Sequence, residues 1–566
     1  MISPLGGLCI LALAVAAPPP GFGASKSPVR ARQGMVVSAE VRATQAGVEI
    51  LKNGGNAVDA AVAVGFALAV THPSAGNLGG GGFMLIRLNK SGETVAIDYR
   101  EMAPGGATRT LYQDREGNVV RDASTVGYRA IAVPGTPAGL TLALAKYGTM
   151  KLREIIAPAI ALARDGVELS RFESESLKGA RKLLERFPES GRIFLRDGDY
   201  YAEGGKFVQP ELAGCLESIA RNGAREFYEG SIAQQIAAAM KANGGLITIE
   251  DLKNYRAVVR KPVEGTYRGC HIYSMPPPSS GGIALVEMLN ILEGYPLTRY
   301  GQGASRTLHL MAEAMKRAFA DRAEYLGDAD FVRVPAAGLT SKKYAAERRA
   351  TIDPFLASNA SDLGHGRPDL YESGQTTHFS VVDREGNAVA NTYTLNGGYG
   401  SGVTIPGTGI LMNNEMDDFS AKPGIPNAYG LIHSDANAIA PGKRPLSAMT
   451  PTIVTRDGKL FMVLGSPGGP TIINTVLQTL LNVIDFKMTV QQAVDAPRIH
   501  HQWIPDRLVL ETRGFAQDVI DALRARGHRI EERDSIGDCH TILVDPDSGI
   551  RLGAADPRND GRAIGY

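Results

Sequence analysis

The 566-residue chain carries 60 Lys and Arg against 59 Asp and Glu and is 44% apolar, so it is long and apolar enough to bury a large core. Its 66 Gly and 32 Pro fall below the roughly 25–30% that marks low-complexity sequence, which excludes disorder as the main state. A near-neutral balance leaves no clustered cationic footprint for phosphate backbones, which excludes nucleic acid as the expected partner.

Residues 1–24 carry no charged side chain, and the apolar run 8–17 is followed by three prolines and the stretch 21–24, small apart from Phe22. The run is shorter than the ~20 apolar residues of a membrane span, so residues 1–24 read as a signal peptide, with an N-terminal core helix as the alternative. A signal peptide implies a periplasmic or secreted protein. Its removal leaves Cys215, Cys270 and Cys539, too spread for a disulfide framework, so at most one pair is expected. No C-x-x-C spacing occurs and the ten His are scattered, so no metal centre is expected. The adjacent His500 and His501 would point to opposite faces of a strand.

Residues 38–52 have helical spacing, with Ser38 as N-cap and Gly54-Gly55 as the stop. Residues 57–70 are almost wholly apolar apart from Asp59, which predicts a helix buried on most sides. Gly79 to Gly82 then leads into a strand at 83–88. A glycine-rich loop that feeds a strand is the wrong order for a phosphate cradle, so these glycines read as a turn with close backbone packing. Residues 151–241 are mostly helical, with a stripe at Ile155, Ile156, Ala159, Ile160 and Leu162. Residues 276–282 form a loop, because three consecutive prolines donate to neither ladder nor helix. Residues 305–325 are an amphipathic helix capped by Ser305, and 357–374 read as an exposed linker. After Gln375 the texture changes. Strand-like runs at 377–382, 388–394, 452–455, 460–464, 508–511 and 541–544 alternate with helical stripes at 471–483, 489–496 and 515–525. A mixed sheet layered by helices fits this order, without a repeat period.

The run Gln375-Thr376-Thr377-His378-Phe379-Ser380-Val381-Val382-Asp383 puts hydroxyl residues at the start of a strand directly after the linker, by itself a common strand pattern. It continues through Gly386, Asn387, Val389, Thr392, Thr394, Leu395, Asn396, Tyr399 and Gly400. Together these residues resemble the signature of the γ-glutamyltransferases, the γ-glutamyl transpeptidase family of N-terminal-nucleophile hydrolases. The resemblance extends over almost the whole chain beyond residue 24, through 98–104, 276–282, 413–419, 443–447, 465–469 and Asp556-Pro557-Arg558.

What the resemblance implies is an α+β fold, a four-layer αββα sandwich, made as a precursor that cuts itself between Gln375 and Thr376. Residues 25–375 would be the large subunit and 376–566 the small, catalytic one, interleaved as one domain. Thr376 would be the nucleophile and, through its freed amine, its own base. A hydroxyl needs a base to attack an amide, and an α-amino group with an ordinary pKa of about 8 has no basicity while it is itself an amide. Thr394 matches the family's second Thr, which hydrogen-bonds the nucleophile, and Gly468 and Gly469 match the pair whose N–H groups form the oxyanion hole. Arg100 matches the α-carboxylate-binding Arg, suited to a bidentate fork, and Asn396, Glu415 and Asp418 match the binders of the α-amino group. Ser447 matches a serine near the α-carboxylate, and Tyr429 lies in 423–435, which matches a lid loop that excludes water. Where the family commonly has two serines, this chain has Ser447-Ala448. The missing hydroxyl removes a hydrogen bond to a charged group, worth roughly 1.5–3 kcal/mol.

The expected activity is cleavage of γ-glutamyl amides such as glutathione through a γ-glutamyl-enzyme ester, with transfer to water or to amino acids and peptides. No cofactor is expected, and the partners are a small-molecule donor, an acceptor and the two halves of one precursor. One alternative is a related acylase acting on glutaryl-type, cephalosporin-like amides, which Ala448 keeps open. Another is a catalytically silent secreted binding protein of the same fold, against which Thr376, Thr394 and Gly468-Gly469 argue.

Overall fold

The computed structural model describes residues 25–368 and 378–566. The expected signal peptide, the expected cleavage point Gln375-Thr376 and Thr377 lie outside the described residues. No helix among the described residues is long and apolar enough to cross a membrane.

Two seven-stranded antiparallel sheets form the centre. The first runs Arg562–Gly565, Met35–Ser38, Phe379–Val382, Ala388–Thr394, Gly81–Arg87, Thr94–Tyr99 and Val258–Arg260 from edge to edge. The second runs Val29–Ala31, Arg551–Ala554, His540–Val544, Lys459–Gly465, Thr452–Arg456, Cys270–Ser274 and Val263–Tyr267. In a strand successive side chains alternate faces, and that period sorts the core. Met35, Val37, Phe83, Leu85 and Ala390 point into the space between the sheets and meet Ile453, Val463 and Ile542. Val36, Met84, Ile86 and Val389 point the other way, onto the helices Val41–Lys52 and Ala57–Thr71. The second sheet turns Ile272, Val454, Met462 and Leu464 onto Gly281–Leu292, Ser305–Tyr325 and Thr471–Ile484. The result is a four-layer αββα sandwich. Each sheet takes strands from both sides of residues 369–377, so the two stretches are interleaved in both layers.

Ala57–Thr71 is buried at every residue, and a capping box of Asn56 and Asp59 starts it. The helix expected from Ser38 begins instead at Val41. Glu40 is its N-cap, accepting from the N–H groups of Arg42 and Ala43, while Ser38 closes the preceding strand. The strand expected at 83–88 spans Gly81–Arg87, taking two glycines out of the expected turn to pair with Thr394 and Tyr393. A Cβ on Gly82 would lie 2.5 Å from the Tyr393 Cα, so only glycine lets these backbones approach. Ser305 is the first helical residue, with Ala304 at the cap position and no side-chain cap. Gly281 and Gly282 belong to a helix, not to the loop before it.

The stretch expected as an exposed linker is anchored in its described part. Trp503 Nε1 donates to the carbonyls of Ala360 (2.8 Å) and Leu363 (3.0 Å), and the Gly366 N–H donates to Asp321 Oδ1 at 2.7 Å. Cys215, Cys270 and Cys539 are free and buried. His500 and His501 hold different partners, Asn474 and Asp506.

Candidate active site

A cavity of about 340 Å³ opens where the Ala388–Thr394 strand ends, within the size range of small-molecule sites. Thr394, Asn396, Glu415, Asp418, Tyr429, Ser447, Gly468 and Gly469 all line it. Sequence positions up to 75 residues apart are therefore gathered on one wall. Thr376 lies outside the described residues, and His378, the first described residue after it, is part of the same wall. Arg100 does not line the cavity; it is fully buried behind Glu415 and Asp418.

Gly468 (φ 129°) and Gly469 (φ 57°) lie in the region that side chains resist, which turns their peptide units away from the usual strand or helix geometry. Among the described residues neither N–H has an acceptor. The Gly468 carbonyl takes hydrogen bonds from the Thr471 N–H (3.3 Å) and Oγ1 (2.8 Å), which fixes the loop and leaves its donors free for a developing oxyanion. The Tyr429 ring lies over Gly469, where a Cβ would come within 3.1 Å of it. Its hydroxyl donates to the Asn396 carbonyl at 2.7 Å, which ties the loop that carries Tyr429 to the end of the Ala388–Thr394 strand. Asn396 itself has φ 74°, tolerable for Asn, and donates through Nδ2 to the Asn414 carbonyl at 3.0 Å. The Asn396 N–H donates to Thr394 Oγ1 at 2.8 Å, which orients that hydroxyl while leaving its own proton available.

Three carboxylates surround one guanidinium. Arg100 Nη1 donates to Glu415 Oε1, Nη2 donates to Asp418 Oδ2 at 2.6 Å, and Glu101 Oε2 sits 3.5 Å from Nη1. Were all three ionised, negative charge would be in local excess, and the cluster is relieved of it by holding protons. Burial, partly opposed by Arg100, pushes the Glu101 carboxyl up to about 7. Burial also raises Glu415 well above the carboxylate range, against the pull of Arg100 and with the help of Glu101 and Asp418. Glu415 Oε2 is buried without a hydrogen-bond partner. A cation entering beside it would restore the charge balance and fill that acceptor.

Sequence reasoning missed several wall residues. Arg322 reaches the wall from Ser305–Tyr325, and its signal was a charge falling in register with the apolar stripe of Met315 and Phe319. His72, Asp538 and His540 line another part of the cavity. Burial works against a charged His540, but Asp538 beside it prevails and raises its pKa. Burial drives His378 the other way, well below the usual histidine value, so it is neutral. Away from the cavity, His309, Glu313 and His528 lie close together. Glu313 holds Lys316 and Arg317, and His309 bonds His528 and the Asp353 carbonyl, while His528 Nδ1 is buried without a hydrogen-bond partner.

Residues 43–566 match the gamma-glutamyltranspeptidase family. The chain belongs to that family. Over 568 residues it is 53% identical to a glutathione hydrolase proenzyme of Escherichia coli (strain K12), covering 99% of this chain and 97% of the relative. It is 48% identical to a glutathione hydrolase proenzyme of Pseudomonas sp. (strain A14), covering 96% of each. Among solved structures it is similar to a cephalosporin acylase from Bacillus halodurans, with a TM-score of 0.85 at 30% identity over 98% of this chain and 99% of that one. This γ-glutamyltranspeptidase-family chain is an enzyme of the N-terminal-nucleophile fold, and its relatives are made as proenzymes.

Proposed function

We propose that the chain cleaves itself between Gln375 and Thr376 and then acts as a γ-glutamyl transpeptidase and hydrolase on γ-glutamyl amides such as glutathione. The observation that carries this reading is a single cavity holding both an acidic pocket, Glu415 and Asp418, and the free N–H groups of Gly468 and Gly469. One residue, Thr377, separates Thr376 from the wall residue His378, so the chain between them spans at most about 7 Å.

In this reaction the Thr376 amine takes the hydroxyl proton as Oγ1 attacks the γ-carbonyl carbon. The oxyanion forms against Gly468 and Gly469, then collapses as the C–N bond breaks and the proton passes to the leaving amine. The γ-glutamyl-enzyme ester remains until water or the amino group of an amino acid or peptide repeats the attack. Asn396, Glu415 and Asp418 receive the donor's α-ammonium, Thr394 steadies the nucleophile, and Tyr429 keeps bulk water out. Ser447 and Arg100 are the expected α-carboxylate binders; with its fork taken up by Glu415 and Asp418, Arg100 also orients the acidic pocket. An exported, signal-peptide-bearing precursor would work in the periplasm or outside the cell as a heterodimer.

Intact mass under denaturing conditions tests this. The wild type gives two fragments, the smaller beginning at Thr376, and Thr376→Ala gives one uncut chain that does not turn over a γ-glutamyl anilide. A Thr376→Ala protein that matures and turns over would sink the assignment. The acylase reading is kept by Ala448 on the cavity wall and by the likeness to a cephalosporin acylase. Rates on γ-glutamyl and glutaryl amides of one amine separate the two, since only the first carries the ammonium that Glu415 and Asp418 would bind.

A further inference from the structure

We propose that Asp538 and His540 are a water-positioning pair on the cavity wall, which holds the water that hydrolyses the enzyme ester and so sets how much of the acyl group goes to water rather than to an amine. The inference rests on the ester mechanism proposed above and assigns to named residues the division between its two outcomes.

Both side chains line the cavity and both are buried, Asp538 at 3% and His540 at 1% exposed. His540 Nε2 faces Asp538 Oδ2 at 3.4 Å. Burial opposes both charges, yet each group favours the other's, holding the Asp538 pKa down and the His540 pKa up. The pair therefore stands as a carboxylate beside an imidazolium. Its remaining atoms are not used up. Asp538 Oδ1, an acceptor, and His540 Nδ1, a donor, are buried with no hydrogen-bond partner among the described residues. Buried polar atoms without partners are rare, and a polar niche that opens on a cavity of about 340 Å³ has room for a water that meets both.

The chain ties this pair to the reacting centre from two sides. The Asp538 N–H donates to Ser466 Oγ at 2.8 Å, and Gly537 packs on Gly468, where a Cβ would lie 3.4 Å from the Gly537 Cα. His540 pairs with Gly465 across the sheet, and its carbonyl accepts from Ser380 Oγ at 3.1 Å on the strand Phe379–Val382. The pair thus touches both the loop of Gly468 and Gly469 and the strand that follows Thr376. A water held there accepts from His540 Nδ1 and donates one proton to Asp538 Oδ1, which leaves it one lone pair for the ester carbon and one proton for the Thr376 amine. As the bond from water oxygen to carbon forms, the amine takes that second proton. It passes the proton to Thr376 Oγ1 as the ester C–O bond breaks, which releases the acid and restores the nucleophile. An amine acceptor is the stronger nucleophile and is not oriented by the pair, so loss of the pair bears on water.

Asp538→Asn, Asp538→Glu and His540→Gln, given a γ-glutamyl anilide with glycylglycine as acceptor, test this by product analysis. Free glutamate reports hydrolysis of the ester, and γ-glutamyl-glycylglycine reports transfer. Both products come from one ester, so their ratio does not depend on how much of a variant folds or matures. Asp538→Asn and His540→Gln are expected to lower the ratio of glutamate to transfer product by about 10-fold, with the transfer rate within about 3-fold, and Asp538→Glu to recover part of the loss. Should Asp538→Asn give no product, the ratio in His540→Gln decides. An unchanged ratio overturns the proposal whatever happens to the rates. A raised ratio also overturns it, since transfer is then the step that the pair serves. A wild type that turns over only the glutaryl anilide sinks the γ-glutamyl reading, and the ratio of glutarate to glutaryl-glycylglycine then decides for the pair. Turnover of neither anilide overturns both.

Discussion

Asp418→Asn isolates the charge that the acidic pocket offers to a donor ammonium. The Asp418 side chain is 14% exposed and accepts from Arg100 Nη2 at 2.6 Å. The amide keeps the shape and an acceptor oxygen, and removes one unit of charge. A hydrogen bond between charged groups contributes roughly 1.5–3 kcal/mol, which converts to a loss of about 10- to 150-fold in kcat/KM for a γ-glutamyl anilide. Asp418 also helps to hold the Glu415 pKa up, so its removal lets Glu415 ionise more readily and recover part of the loss. The expected value therefore lies near the lower end. Steady-state kinetics on γ-glutamyl and glutaryl anilides of one amine, from pH 6 to 9, supply the comparison. The glutaryl donor has no ammonium and should change by less than about 3-fold, with the γ-glutamyl KM of the variant moving toward its high-pH value at lower pH than in the wild type. Equal losses on both donors would refute the reasoning and leave Asp418 as a support for Arg100 alone.

Gly468→Ala forces a side chain onto φ 129° and puts its Cβ 2.5 Å from Thr471 Oγ1, so the loop must turn its N–H away. Loss of one oxyanion donor is expected to lower kcat by about 10²–10³ with little change in KM, checked by steady-state kinetics. Tyr429→Phe removes the 2.7 Å bond to the Asn396 carbonyl, worth roughly 0.5–1.5 kcal/mol. Limited proteolysis should then cut within 423–435 several-fold faster, and an unchanged rate would show that the strap does not hold the lid. His500 and His528 are held near a pKa of about 3, chiefly by burial. Their folded values lie below the unfolded value of about 6.5, so the stability they contribute is full above pH 6.5 and is lost as pH falls toward 3. At pH 5 each costs on the order of 2 kcal/mol, so Tm should fall between pH 7.5 and 5 and fall less steeply in His528→Gln.

Periodicity and capping residues carried much of the fold. The helix Ala57–Thr71 was legible because its composition is apolar all round, which only full burial tolerates. What periodicity could not resolve was competition between neighbouring polar groups. Ser38 and Glu40 are both able to cap, and the strand that ends at Ser38 decides for Glu40. Gly81 and Gly82 looked like a turn because their strand role depends on the close approach of Tyr393 and Thr394, more than 300 residues away. Periodicity does not show the interleaving of the sheets, which the family resemblance alone implies, since short edge strands such as Val263–Tyr267 bury only alternate, scattered side chains.

The site divides in the same way. Residue types near Thr376 and a resemblance to a family named the members of the cavity wall, but identity alone does not say which partner each charge keeps. Arg100 was assigned to a substrate carboxylate, and folding surrounds its guanidinium with Glu101, Glu415 and Asp418. Arg322 drew no attention within a long helix, and folding leaves it facing the cavity without a carboxylate. A buried charge is decided by its surroundings in three dimensions, because its desolvation must be offset by whatever stands within a few ångströms. The two arginines thus keep different partners. Arg100 is enclosed by acids, and Arg322 lines the cavity with the Ser280 hydroxyl as its hydrogen-bond partner among the described residues.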